Sequence, residues 1–202
     1  EIDPTGTTQN EYDLQVPLNG APVSGLNARG TGWTVELTEP TFPTIPGVTF
    51  GDPMFTAGPG VSVSPDGTTA TASVDPGVNV SVSLTNEALL GSISIVKALE
   101  GGAAGLVDVD RTYQLTAEID TSTLGANVPA QPDRSFNLVV GEPVLLEDLP
   151  IGATVTFTEA RPADDDTLTW AAPVISPASV VVTPAHATVP ATVTVTNSVE
   201  RT

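Results

Sequence analysis

The sequence predicts an all-β protein made of two tandem β-sandwich modules, and three observations lead to this prediction. Short runs of alternating apolar and polar residues, rich in valine and threonine, recur along the chain and are typical of strands. The 18 glycines and 19 prolines cluster between these runs, where their backbone preferences favour turns. The order of the runs in the first half recurs in the second half, and no stretch keeps the 3.6-residue period of an amphipathic helix.

The predicted strands follow from alternation that is bounded by turn residues. In the first half, after a polar lead-in, the patterns lie at 12–16, 34–38, 48–50, 61–63, 69–74 and 78–85. In the second half, the most regular patterns lie at 92–97, 112–119, 154–159 and 192–197.

Two pairs of matching segments carry the internal repeat. Residues 32–39, GWTVELTE, match residues 152–159, GATVTFTE. Residues 82–86, VSLTN, match residues 193–197, VTVTN. Such self-similarity is the sequence signature of a repeated structural unit.

The repeat sets the expected domain boundaries, with module one at 1–88 and module two at 89–202. Module two contains two predicted strands, at 92–97 and 112–119, before the point where the modules begin to align. Module one is therefore expected to lack its N-terminal strands. Because the chain begins at Glu1 and ends just after a strand, we expect it to be a piece of a longer protein.

Composition narrows the classes of function. The 202 residues carry 6 Lys and Arg against 24 Asp and Glu, a net charge of −18, which argues against binding to nucleic acids or anionic membranes. The absence of cysteine excludes disulfides and thiolate metal sites. No apolar run is long enough to span a membrane. We expect an extracellular protein with no cofactor and no metal site.

One lysine is placed where a charged side chain is unexpected. Lys97, the only lysine of the chain, shares a strand face with Ile93 and Ile95. Glu159 and Asn197 each end the apolar face of a later strand in the same way. The alternation therefore predicts that an amine, a carboxyl group and a carboxamide meet in the core of module two.

Three interpretations of this group are open. The residues lie in water at strand ends, or Lys97 and Glu159 form a buried ion pair, or the three groups react. The third interpretation, a reaction, is plausible because burial lowers the pKa of a lysine and so favours the neutral, nucleophilic amine. Lys97 would attack the side-chain carbonyl of Asn197, while Glu159 polarises it and transfers protons to the leaving ammonia.

Module one keeps only part of this group. Glu39 and Asn86 occupy the positions that match Glu159 and Asn197, but module one contains no lysine. Two explanations are open. The chain was trimmed inside module one, or a neighbouring subunit donates the missing strand by strand addition.

The residues of module two resemble a known family. A lysine in the first strand, the segment VTFTE that ends at Glu159 and the closing VTVTN are similar to the immunoglobulin-like, collagen-adhesin B-type (Cna B) repeats of Gram-positive surface proteins and pili. The turn Leu149–Ala153 resembles a repeat module common in large actinobacterial surface proteins. The resemblance implies immunoglobulin-like β-sandwiches, a stalk role and an intramolecular isopeptide bond between Lys97 and Asn197, assisted by Glu159.

The expected function is structural. The chain would form a stalk or repeat region of a bacterial cell-surface adhesin, pilus or filament that is associated with the cell wall. Its expected partners are neighbouring modules or subunits of the same protein, and a host or environmental surface ligand. The alternative is an adhesin module that recognises a surface protein or glycan. No constellation for a turnover enzyme is found, and isopeptide formation would be a single autocatalytic event.

Overall fold

The computed structural model describes residues 1–2, 4–8, 11–12, 14–15, 21–22, 31–42 and 44–202. Within these residues there are fourteen strands, three short 3₁₀ helices and no α-helix, which confirms the all-β prediction. The chain divides into two compact units. Unit 1 comprises Glu1–Pro43 and Phe50–Glu87, and unit 2 comprises Thr44–Thr49 and Ala88–Thr202. Residues 44–49, which the repeat assigns to module one, thus cluster with unit 2.

Unit 1 contains five short strands among its described residues, in two sheets. The first sheet has the order β1-β4-β3 and the second pairs β2 with β5, and all of these pairs are antiparallel. Its core is small and consists mainly of Phe55, Val61, Ala70 and Ala72. The strands are β1 (Trp33–Thr38), β2 (Met54–Thr56), β3 (Val61–Val63), β4 (Thr69–Val74) and β5 (Ser83–Thr85).

Two strand predictions for unit 1 were wrong in extent. Residues 48–50 form no strand and contribute only a bridge residue at Phe50, because a turn at Pro46 and Gly47 ends just before them. The pattern at 78–85 is a strand only at Ser83–Thr85, since its partner β2 has only three residues to pair with it. The predicted strand at 12–16 lies partly outside the described residues.

Unit 2 contains nine strands, and all four strands predicted there are confirmed. One sheet has the order β13-β10-β7-β8, and the other has the order β11-β14-β6-β9, with β12 also paired to β14. The strands are β6 (Leu90–Glu100), β7 (Tyr113–Asp120), β8 (Arg134–Leu138), β9 (Val144–Pro150), β10 (Thr154–Glu159), β11 (Leu168–Trp170), β12 (Val174–Ser176), β13 (Ser179–Val181) and β14 (Ala191–Arg201). The 3₁₀ helices are Ala104–Leu106, Ser122–Leu124 and Pro184–Ala187.

The two sheets of unit 2 share one apolar core. Ile93 and Ile95 of β6 belong to the same buried cluster as Leu115 of β7 and Val155 and Phe157 of β10. Each of these strands alternates buried and more exposed residues, as expected where one face of a sheet packs on another sheet. The predicted β-sandwich is therefore confirmed for unit 2.

The first and last strands of unit 2 are neighbours. β6 and β14 pair in parallel, from Ile93 opposite Ala191 to Glu100 opposite Ser198. Parallel strands require a long connection, and here seven strands and three short helices lie between them in the chain. The pairing places the two inward faces side by side at the centre of one sheet.

The burial of β6 leads to a test of unit 2. Ile93 has no exposed surface, and replacing it by alanine is expected to lower the free energy of unfolding of unit 2 by about 2 to 5 kcal/mol. The matched control is Val174→Ala on β12, which is 61% exposed and is expected to change that free energy by less than about 0.5 kcal/mol. Urea unfolding measures both, and equal effects would contradict the assigned core.

Candidate functional site

Three strands bring the predicted site residues together. Lys97 and Asn197 lie on the inward faces of β6 and β14, which are paired, and Glu159 is the last residue of β10 in the opposite sheet. The register places Lys97 opposite Val195, so Asn197 is the next inward residue along β14. The prediction that the three side chains meet in the core agrees with their positions.

Local sequence fixes the position of Glu159. The turn before β10 contains Gly152, whose φ of 92° is costly for a residue with a Cβ atom. Hydrogen bonds from the amides of Gly152 and Ala153 to the carbonyls of Val182 and Pro150 hold this turn. Because side chains alternate along β10, the start of the strand determines which face Glu159 takes.

The carboxylate of Glu159 joins the other two groups. The Nζ of Lys97 donates to Oε1 and Oε2 of Glu159 at 2.9 and 2.6 Å. The Nδ2 of Asn197 donates to the same Oε1 at 2.6 Å. The side chains of Lys97 and Glu159 are 0% and 1% exposed, and Asn197 is fully buried. The three groups therefore interact in the absence of bulk water.

Aromatic side chains cover the amine. The Nζ of Lys97 lies 4.5 Å from the centre of the Tyr113 ring, a distance typical of a cation–π contact. Trp170 meets Tyr113 edge to face, with ring centres 6.1 Å apart, and the guanidinium of Arg111 lies 4.7 Å from the Trp170 ring. Tyr113 and Trp170 are both 3% exposed.

Sequence reasoning did not assign the aromatic residues to the site. The inward phase of Tyr113 with Leu115 and Ala117 on β7 was a signal that could have found it. No local pattern indicates Trp170 or Arg111, because they approach from β11 and from the loop before β7.

Burial affects the titration of the amine. Desolvation lowers the pKa of Lys97 below its ordinary value, and the hydrogen bond and charge of Glu159 offset part of this effect. Desolvation also raises the pKa of the Tyr113 hydroxyl. A lowered lysine pKa increases the fraction of neutral amine, which is the nucleophilic form.

The arrangement supplies the groups that amide transfer needs. Lys97 could provide the nucleophile and Asn197 the carbonyl, whose Oδ1 is buried and has no hydrogen-bond partner among the described residues. Glu159 contacts both nitrogen atoms between which a proton must move. Such contact is the geometric requirement for general acid–base assistance.

Unit 1 contains the matching acid and amide. The Nδ2 of Asn86 donates to Oε1 of Glu39 at 3.1 Å, as Asn197 does to Glu159. Oε2 of Glu39 and Oδ1 of Asn86 are buried and have no hydrogen-bond partner in the part of the chain that the structure describes.

Among the described residues, no group of three or more His, Cys, Asp or Glu side chains is arranged to hold a metal ion. In the same part of the chain, no helix is long and apolar enough to cross a membrane.

Comparisons with solved structures return pilus proteins at low similarity. The major pilin protein (T3.2) from Streptococcus pyogenes serotype GAS13637 is 17% identical, with a TM-score of 0.41 over 85% of this chain and 69% of the pilin. A second major pilin from Streptococcus pyogenes is 16% identical, with a TM-score of 0.37 over 86% of this chain and 72% of that one. A pilus-presented adhesin, Spy0125 (Cpa), is 13% identical, with a TM-score of 0.37 over 66% of this chain and 34% of the adhesin.

Sequence comparisons give one family. No curated protein sequence matches the chain significantly. A family described as "Domain of unknown function (DUF5979)" matches residues 93–200, which include β6 from Ile93 onwards and nearly all of β14. Since this match covers more than half of the chain, the protein belongs to the DUF5979 family.

Proposed function

We propose that this chain is a structural segment of a bacterial cell-surface adhesin, pilus or filament, and that an isopeptide bond between Lys97 and Asn197 locks its second module. The observation that carries the proposal is the buried contact of Lys97, Glu159 and Asn197, which joins the first and last strands of unit 2. The sequence resemblance to Cna B-type repeats supports the surface location and the stalk role. Its partners would be neighbouring modules or subunits of the same protein.

The reaction balances without a cofactor. The neutral amine of Lys97 attacks Cγ of Asn197, so that a new C–N bond forms and the bond from Cγ to Nδ2 breaks. Glu159 carries one proton from the attacking nitrogen to the departing one, and ammonia leaves. The buried site favours this step because it keeps water from competing for the carbonyl.

The bond would stabilise unit 2 strongly. It would close a loop that runs from β6 to β14 and contains almost the whole sandwich. By analogy with a disulfide that closes about 100 residues, the stabilisation is roughly 4 to 5 kcal/mol. A chain without cysteine would gain in this way a covalent crosslink that reduction does not break.

The position of the bond also suits a load-bearing segment. Tension that enters unit 2 at the start of β6 and leaves at the end of β14 loads two parallel, paired strands in opposite directions. A covalent link from Lys97 to Asn197 would pass that tension directly between the two strands. The chain from 98 to 196 would then carry no load.

The first prediction concerns mass. The intact chain is expected to weigh less than its sequence requires by one ammonia, and peptide mapping should join the segment around Lys97 to the segment around Asn197. Lys97→Ala and Asn197→Ala are each expected to abolish this deficit. Asn86→Ala is the matched control and should retain it, because unit 1 has no lysine. A wild-type chain of full mass would refute the crosslink.

The second prediction concerns extension under force. Single chains can be pulled from both ends. In the wild type, the residues between Lys97 and Asn197 are expected to add nothing to the extended length of the chain. In Lys97→Ala these residues, about 100 in number, should unfold and lengthen the chain by up to roughly 3.6 Å per residue. Asn86→Ala should behave as wild type. Release of the full loop by the wild-type chain would contradict the proposed path of tension.

The third prediction concerns pH. In Asn197→Ala the amine stays free and its pKa is lowered by burial, whereas in the crosslinked wild type it no longer titrates. Between the lowered pKa and the ordinary value of 10.5, the unfolded variant binds more protons than the folded one. The stability of Asn197→Ala relative to wild type should therefore rise with pH across this window.

Urea unfolding of both proteins at a series of pH values measures this difference. A difference that is constant with pH would show that the amine titrates in both proteins or in neither. A difference that falls as pH rises would show that the folded variant binds the proton more tightly than the unfolded one, which contradicts the lowered pKa.

A further inference from the structure

Trp170 forms part of the aromatic wall around the amine of Lys97. It is 3% exposed, and its ring meets that of Tyr113, which lies over the Nζ of Lys97. The indole Nε1 of Trp170 is buried and has no hydrogen-bond partner among the described residues. The position of the ring therefore depends on its packing and on the contacts that hold the backbone of Trp170.

The strand that carries Trp170 gives its backbone little support. β11 has only three residues, and in the described part of the chain it pairs with β14 alone. Trp170 lies opposite Val199 on β14, two residues beyond Asn197. A strand at the edge of a sheet presents unpaired N–H and C=O groups on its outer side. Backbone groups of Trp170 therefore need partners from outside the sheet.

An ion pair supplies these partners. Oδ1 of Asp164 accepts from the backbone N–H of Trp170 at 2.8 Å, and Nη1 of Arg161 donates to the carbonyl oxygen of Trp170 at 2.9 Å. The guanidinium of Arg161 also donates to both carboxylate oxygens of Asp164, at 2.8 and 2.6 Å. Such bidentate pairs fix geometry as well as adding energy. One ion pair thus binds both polar groups of the Trp170 backbone.

The same pair connects the wall to the acid of the site. Arg161 follows Glu159 by two residues, directly after the end of β10, whereas Trp170 lies on β11 in the other sheet. The guanidinium therefore joins the end of the strand that carries the carboxylate to the strand that carries the wall.

The ion pair is too exposed to contribute much to stability. The side chains of Arg161 and Asp164 are 41% and 42% exposed. Ion pairs that water reaches contribute little to the free energy of unfolding, because solvent screens the attraction. Its two bonds to the backbone of one buried residue are better explained by the position that they give to Trp170.

We propose that Arg161 and Asp164 are positioning residues, which hold Trp170 against Tyr113 so that water stays away from the amine of Lys97. They act through the backbone of Trp170 and not on the reacting atoms. The inference rests on the function proposed for unit 2, because removal of water favours the neutral amine that would attack Asn197. Loss of the pair would let Trp170 move, admit water to the site and slow formation of the isopeptide bond.

The amine itself reports on the wall. Lys97 is the only lysine of the chain, so lysine labelled with ¹³C at Cε gives one NMR signal that follows protonation of Nζ. The titration is carried out in Asn197→Ala, where the amine stays free whether or not the wild-type chain crosslinks. Desolvation lowers the pKa of Lys97 there. Adding Asp164→Ala is expected to raise this pKa towards the ordinary value of 10.5, because water then reaches the amine.

The sign of the change separates positioning from charge. Removal of a nearby negative charge by itself lowers the pKa of an ammonium group, which is opposite to the expected rise. Glu159 and Tyr113 contact the amine, and Arg111 lies beyond the Tyr113 ring; all three are retained in the variants. The matched control adds Asp166→Ala, which removes an exposed acid of the same loop and should not raise the pKa.

A second measurement follows Trp170 directly. Trp33 and Trp170 are the only tryptophans, so Trp33→Phe leaves Trp170 as the sole indole. Quenching of its fluorescence by acrylamide should increase when Asp164→Ala or Arg161→Ala is added, and should not change with Asp166→Ala. Asp164→Asn retains an acceptor for the N–H of Trp170 but loses the ion pair, and its effect should lie between those of wild type and Asp164→Ala. Circular dichroism checks that each variant keeps its β structure.

The effect on the reaction is measured in chains that retain Asn197. A pKa that is higher by one unit lowers the fraction of neutral amine at neutral pH about tenfold, and crosslinking should slow by the same factor. Chains made by cell-free synthesis are stopped in denaturant at a series of times, and intact mass gives the fraction that has lost ammonia. Asp164→Ala should lose ammonia more slowly than wild type, and Asp166→Ala at the wild-type rate.

The outcomes separate this inference from the proposed function. If Asp164→Ala leaves the pKa of Lys97 unchanged in the Asn197→Ala chain, or lowers it, the positioning role is refuted whatever the wild-type chain does. If that pKa rises but the wild-type chain has its full mass, the crosslink is refuted and the positioning of Trp170 stands. Equal quenching of Trp170 with and without Asp164→Ala also overturns the positioning role.

Discussion

Unit 2 is organised around the burial of one amine. Lys97 is fully enclosed, so the fold must provide an acceptor for its protons and a wall that excludes water. Glu159 provides the acceptor from the opposite sheet. Tyr113 and Trp170 provide the wall that excludes water. A slip of one residue in any of the contributing strands would turn its side chain to the other face, so the site requires a unique register throughout the sandwich.

The expectation that Lys97, Glu159 and Asn197 lie together agrees with their positions, and it could be drawn from the sequence because the signal for it is local. The period of two along a strand determines which residues share a face, and that is enough to align Lys97, Glu159 and Asn197 with their apolar neighbours. The pairing of β6 with β14 and the approach of Trp170 depend on contacts between distant segments, which no local pattern contains. The short strands of unit 1 were overestimated for the same reason, since the length of β5 is limited by its partner β2.

Comparison of the two units shows whether the acid–amide pair needs the lysine to take its position. Unit 1 keeps the hydrogen bond from the asparagine amide to the glutamate and the register of β2 on β5, although it has no lysine. The acid–amide pair is therefore positioned by the strands that carry it and not by the cation. The two pairs differ in the second carboxylate oxygen, which accepts from Lys97 in Glu159 but has no donor among the described residues in Glu39.

A buried ion pair alone would be a poor reason to keep this arrangement. Removing two charges from water costs several kcal/mol for each ion, and their attraction often does no more than offset that cost. The proposed conversion of the amine and the carboxamide to an amide would remove the positive charge, so the cost of desolvating the ammonium group would no longer oppose folding. The proposed bond would also join the two parallel strands β6 and β14, at which tension would enter and leave unit 2. A buried ion pair would thus be replaced by a covalent crosslink, and the fold would supply the burial that favours the neutral, nucleophilic amine.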